Sequence, residues 1–148
     1  MPLYVRGPGI AAGSKLDHLV GNVDLAPTIA EWAGVTLPAP IDGRSLAPLL
    51  KAGAPNPESW RQSFPLFFKE GTAGNWPGWR GVRTRRHAYV EYDNGETELY
   101  DMVADPYQLT SLHMTAPAKL RASLAELTAK LAACAGDSCR TVEDAAIS

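Results

Sequence analysis

Apolar and polar residues alternate from Trp79 to Met102, WRGVRTRRHAYVEYDNGETELYDM, with the period of two that a half-buried strand requires. Two such runs flank Asp93-Asn94-Gly95, and Asn-Gly supplies the positive backbone angles of a tight turn. The pattern predicts an antiparallel hairpin, with Tyr89, Glu91 and Asp93 on one face and Val90 and Tyr92 on the other. An isolated hairpin is marginal in water, so its apolar face needs a cover. From Ala116 to Ala135 the period changes, and Leu120, Leu124, Leu127 and Leu131 make a helical stripe with Lys119, Arg121, Glu126 and Lys130 mostly off it. Thr115 is placed to cap this helix, Pro117 follows close behind, and Gly136 stops it. That helix is the natural cover for the hairpin.

Ahead of the hairpin the chain reads as strand, loop and helix. Leu3 to Arg6 is a short strand ended by Gly7-Pro8-Gly9, where a missing donor and relaxed glycines end regular structure. Val23, Ala26, Ile29, Ala30 and Ala33 then recur at helical spacing, with Asn22 or Asp24 as cap, Pro27 in the first turn and Gly34 at the close. Asp42-Gly43-Arg44-Ser45 turns into the apolar run Leu46 to Leu50, and KAGAPNPESWRQS, Lys51 to Ser63, reads as a lobe boundary. Phe64 to Glu70 is a further strand with Pro65 at its start or edge. The expected division is therefore 1–55, 56–136 and a loose tail over 137–148. The first residues are β-prone with nothing ahead to turn or cap them, so the chain is expected to start inside a domain.

Composition narrows the function. A chain of 148 residues, 45% hydrophobic and 20% charged, has the make-up of a soluble globular protein with a real core. Its net charge of -2 argues against a dedicated nucleic-acid binder; Arg80, Arg83, Arg85 and Arg86 cluster, but strand alternation splits them between faces. No apolar run approaches the roughly 18 residues of a membrane span, and none has signal-peptide form.

Candidate chemistry is sparse. His18, His87 and His113 are scattered over three elements without partners at metal-ligand or triad spacing. Asp93-Asn94-Gly95 has the form of a metal-ligand motif, but its alternating flanks make it a turn. The carboxylate pairs Glu96/Glu98 and Asp101/Asp105 lack surroundings that predict burial and shifted acidity. Asn75, Trp76 and Trp79, around a Pro-Gly loop, either form an aromatic rim facing a substrate or pack a junction between lobes. Cys134 and Cys139 are either unrelated thiols or, across the turn Gly136-Asp137-Ser138, a small disulfide loop. A zinc site would need further ligands that the sequence does not place nearby.

Taken in order, PLYVRGPGI, NVDLAPTIAEWAGV, DGRSLAPLL and GVRTRRHAYVEYDNGETELYDMVADPYQLTSL resemble the C-terminal part of the sulfatase family across nearly the whole chain. They correspond to a core strand and loop, an Asp-Leu-x-Pro-Thr-Leu helix closed by Ala-Gly, an Asp-Gly-x-Ser-Leu-x-Pro-Leu-Leu element, and a strand pair running into Leu-Tyr-Asp-x-x-x-Asp-Pro-x-Glu-x-x-Asn-Leu. Gln108 stands where the family usually has Glu and Ser111 where it has Asn. The resemblance implies an α/β, alkaline-phosphatase-like sulfatase fold: the end of the core, then a small antiparallel sheet packed by a C-terminal helix. It also implies a formylglycine, made within Cys/Ser-x-Pro-x-Arg, and calcium. Neither has matching residues here: Cys134 is followed by Ala-Gly and Cys139 by Arg-Thr.

The expected role is thus the C-terminal part of a sulfuric ester hydrolase, completing the core and walling the cleft for a sulfate-ester substrate. Nucleophile and calcium ligands would come from an upstream catalytic part of the same enzyme, and this chain alone would be inert. The alternative is a free-standing, non-catalytic binding or accessory module that has kept the fold. The family and the cysteine pair favour a periplasmic or secreted location.

Overall fold

A computed structural model describes residues 3–69 and 77–146. Its centre is a four-stranded antiparallel meander in the order β1-β2-β3-β4: Ser63–Phe68, Trp79–Thr84, His87–Tyr92 and Thr97–Asp101. The long alternating run is therefore two hairpins rather than one. Arg85 and Arg86, expected on a strand, form the turn between β2 and β3 because the Thr84 hydroxyl accepts from the amides of Arg86 (3.2 Å) and His87 (2.7 Å). A threonine side chain does there what glycine does in the next turn. Gly95 sits at φ +88° and its amide donates to Tyr92 O at 2.9 Å, closing the β3–β4 hairpin.

The cover over the sheet is a 16-residue helix near the C-terminus. In chain order the helices are α1 (Leu25–Ala33), α2 (Ala47–Leu50), α3 (Ala118–Ala133) and α4 (Asp137–Asp144). Leu124 and Leu131 of α3 are buried with Val82, Tyr89 and Leu99 of three strands, and Leu120 and Leu127 pack against the same cluster. Val82, Leu99 and Leu124 are wholly inaccessible, each burial contributing about 1.5–3 kcal/mol. Gly81 lets β2 pass close to the Tyr89 carbonyl, where a Cβ would strike backbone.

Several expectations are corrected. Leu3 to Arg6 makes no ladder among the described residues, because no neighbouring strand is offered to it. Pro117, not Thr115, stands at the N-terminus of α3, and α3 ends at Ala133, before Gly136. The tail expected to be loose forms α4, with Cys139 and Glu143 buried. The cause is tertiary: a disulfide and an ion pair hold a segment with no apolar stripe of its own.

The stripe predicted for α1 exists but does not face a core here. Of its positions Val23 is 50% exposed, Ile29 62%, and Ala26 and Ala33 are exposed too; Ala30 alone is buried, with Thr28 beside it, and Trp32, outside the predicted set, is 55% exposed. Gly34 closes the helix at φ +65°, its amide donating to Ala30 O and Glu31 O. Asp24 precedes the helix without capping it, since its carboxylate is used elsewhere.

Candidate functional site

Two places in this fold combine polar chemistry with burial or an opening. The first is a charge network that joins three distant segments. Arg61, wholly buried, donates from both terminal nitrogens to the two oxygens of Asp24 (2.8 and 2.9 Å) and from Nε to Glu143 Oε2 (2.7 Å). Arg44 donates to the same Glu143 oxygen and to Asp144, both at 2.7 Å. The backbone amides of Gly21 and Arg44 complete the shell of Asp24 at 2.8 and 2.9 Å. Burial alone would raise the pKa of Asp24, but hydrogen bonds from Arg61, Arg44 and Gly21 outweigh it and hold the carboxyl below its usual range. The stretch 51–63, expected as a lobe boundary, thus carries the most buried cation of the molecule's described part, stacked over the Phe64 ring at 4.8 Å.

The network explains two motifs read from the sequence. Asp24 belongs to NVDLAPT and Arg44 to DGRS, and the fold brings them into direct contact. Thr28 of the same helix motif accepts from the Leu46 amide at 2.8 Å and donates to Asp24 O at 2.5 Å, fixing α2 against α1. Arg61 and Glu143 were invisible to sequence reasoning: each is a single charged residue in a polar stretch, and only long-range folding gives it a partner. The one available signal was Asp24 itself, a carboxylate opening a helix in an apolar setting.

The second place is the sheet surface away from α3. Since Val82, Tyr89 and Leu99 face α3, alternation turns Trp79, Val90, Tyr92, Glu98 and Tyr100 to the opposite side. Tyr92 and Tyr100 donate to the two oxygens of Glu98 at 3.3 and 3.0 Å. Burial, followed by the Glu98 hydrogen bond and charge, pushes the Tyr100 phenol up to about 12. Trp79 of the proposed rim lies at the start of β2, its ring stacked on Phe68 of β1 at 6.3 Å and 18° between planes. Asn75 and Trp76 lie outside the described residues.

Among the described residues no three His, Cys, Asp or Glu gather to hold a metal ion. The described residues therefore offer no such ligand group to calcium. Cys134 and Cys139 are joined in a disulfide with Cα atoms 4.9 Å apart, so neither offers a free thiol. No helix among the described residues is long and apolar enough to cross a membrane.

A four-stranded antiparallel meander backed by a C-terminal helix, preceded by a helix with an open apolar stripe, is the C-terminal portion of an alkaline-phosphatase-like sulfatase fold. The chain belongs to the family described as N-sulphoglucosamine sulphohydrolase, C-terminal, whose model matches residues 1–135. It is 36% identical over 116 residues to an N-acetylglucosamine-6-O-sulfatase of Bacteroides thetaiotaomicron, covering 76% of this chain and 21% of that protein. It is 33% identical over 175 aligned positions to the human N-acetylglucosamine-6-sulfatase, covering 95% of this chain and 31% of the relative. A solved sulfatase-fold structure in complex with its substrate D-glucosamine-2-N,6-O-disulfate superimposes with a TM-score of 0.64 at 34% identity, over 73% of this chain and 23% of the other. The chain thus spans between a fifth and a third of the length of these curated relatives.

Proposed function

We propose that this chain works as the C-terminal part of a sulfuric ester hydrolase, whose upstream part supplies formylglycine and calcium and whose substrate is a sulfate ester of an amino sugar. The observation that carries the reading is the family match over residues 1–135, and relatives that act on N-acetylglucosamine 6-sulfate support the substrate class. In this reading residues 1–55 are the terminal strand and helix of the α/β core and 56–136 the covering subdomain. The exposed stripe of Leu25, Ile29 and Trp32 on α1 suits a helix that packs on a core sheet, since so large an apolar row is unfavourable in water. The sheet surface bearing Trp79, Tyr92, Glu98 and Tyr100 walls the substrate cleft. Trp79 offers a flat apolar face and the Tyr–Glu cluster offers hydrogen bonds, the pairing that sugar rings require. The disulfide suits an oxidising compartment, periplasmic or secreted.

The test joins this chain in frame to the upstream part encoded ahead of it and compares the product with this chain alone. The joined protein should hydrolyse N-acetylglucosamine 6-sulfate and the chain alone should match a heat-killed control. Turnover by the chain alone, or none by the joined protein on any sulfated amino sugar, would overturn the reading.

A further inference from the structure

The family match ends at residue 135, yet the buried Arg61 takes one of its two anionic partners from beyond that point. Glu143 sits on α4, a helix with no leucine stripe that follows α3 after a three-residue break. Covalent and polar ties hold α4 in place, the Arg44–Asp144 ion pair among them. The Cys134–Cys139 disulfide ties its first turn to the end of α3. The Gly136 amide donates to Asp42 Oδ1 at 2.7 Å. Glu143 binds Arg61 and Arg44 through its carboxylate, and its carbonyl accepts the Gln62 amide at 2.8 Å. Apolar burial on α4 is small: Cys139 is its one buried hydrophobic residue, and the half-buried Val142 packs against the core cluster.

We propose that α4 is a redox-dependent latch: the Cys134–Cys139 disulfide keeps Glu143 on Arg61 and Arg44, and its reduction releases α4 and loosens the N-terminal segment around Asp24. The step consumes two thiols of a small reductant, which become its disulfide; the two electrons and two protons convert the Cys134–Cys139 bond into two thiols. Cys134 and Cys139 line a groove of about 460 Å³ walled by α3, α4, β1 and β2, the route by which a small reductant would reach the bridge. Once the bridge opens, α4 is held by its polar contacts and by the packing of the half-buried Val142 against the core cluster, and an eight-residue helix is not stable by itself in water. Departure of α4 removes both Glu143 and Asp144, leaving Arg61 with Asp24 only and the Arg44 side chain with no carboxylate. The segment 21–28 and the turn 42–46, which the two arginines bind together, lose half of that tie. The β2–β3 hairpin shares none of these contacts and is held by α3 leucines.

Hydrogen exchange read at single amides by NMR on the whole 148-residue chain tests this, with and without a phosphine reductant. Reduction should speed exchange at Gln62, Gly136 and 21–28 at least tenfold, while 82–90 changes less than twofold. In the oxidised E143Q variant, 21–28 should speed up comparably, and reduction should then add less than twofold there. Unchanged exchange at 21–28 on reduction would overturn the latch. So would equal acceleration at 82–90, or global unfolding, because the bridge would then be a general staple. The wild-type comparison stands without any variant, so failure of E143Q to fold does not remove the test.

Discussion

Arg61 is a wholly buried charge on which distant segments of the chain converge. Its guanidinium is fully buried and bonded to two carboxylates from residues 24 and 143. Removing one member of such a pair strands the others in low dielectric, at a cost of about 3–5 kcal/mol. Arg61→Ala should therefore lower the urea midpoint by that equivalent, whereas Arg80→Ala should not, because the Arg80–Glu91 pair is on the surface, with the arginine side chain 58% exposed. Acid should act on the same residues. Asp24 is held below its ordinary value of 3.8, and Asp101 is lowered to about 2, first by the Arg86 hydrogen bond and then by the amides of Val103 and Ala104. A depressed carboxylate stabilises the fold above its unfolded value and loses that contribution as pH falls through the folded one. Unfolding midpoints measured from pH 5 to pH 2 should fall mainly below about pH 4, and Asp101→Asn should reduce the slope.

At the scale of elements, α3 and the meander depend on each other. The helix has its stripe of leucines from the sequence, but the stripe has a purpose only against Val82, Tyr89 and Leu99. Leu124→Ala should cost about 2–5 kcal/mol, since a wholly buried side chain leaves a cavity that three strands and a helix cannot close. The same packing orders the local stabilities. Amides of 82–90 and 120–131 should exchange slowest, and those of α1, one side of which lacks a neighbour, at least tenfold faster. Equal protection in α1 would show that its exposed stripe is no weakness in the chain by itself.

For the molecule as a whole, the open stripe of α1 is the main feature that the described fold does not use. Leu25, Ile29 and Trp32 stand one helical turn apart on one face, the spacing of a helix made to cover a sheet. Ile29→Glu should change the stability of this chain alone by no more than about 0.5 kcal/mol, since the position is already in water. In the joined protein the same substitution should destabilise strongly or abolish soluble expression, read by thermal melting and yield. A small effect in both settings would mean that the stripe meets no core.

The sequence by itself determined the parts that depend on neighbours along the chain: the alternation of β3 and β4 with their Asn-Gly turn, the leucine stripe of α3, the α1 helix closed by Gly34, and the ordered motifs that mark the family. Each is set by local propensity or period, which a reader of the chain can count. Tertiary structure decided the rest. The turn at Arg85-Arg86 rests on a threonine hydroxyl that mimics a turn residue, and so leaves the strand pattern unbroken to the eye. The tail became α4 through Cys139 and Glu143, whose partners lie at residues 134, 61 and 44. Which side of α1 faces water was likewise outside the reach of periodicity, because a period shows that a helix has two faces but not what lies against each.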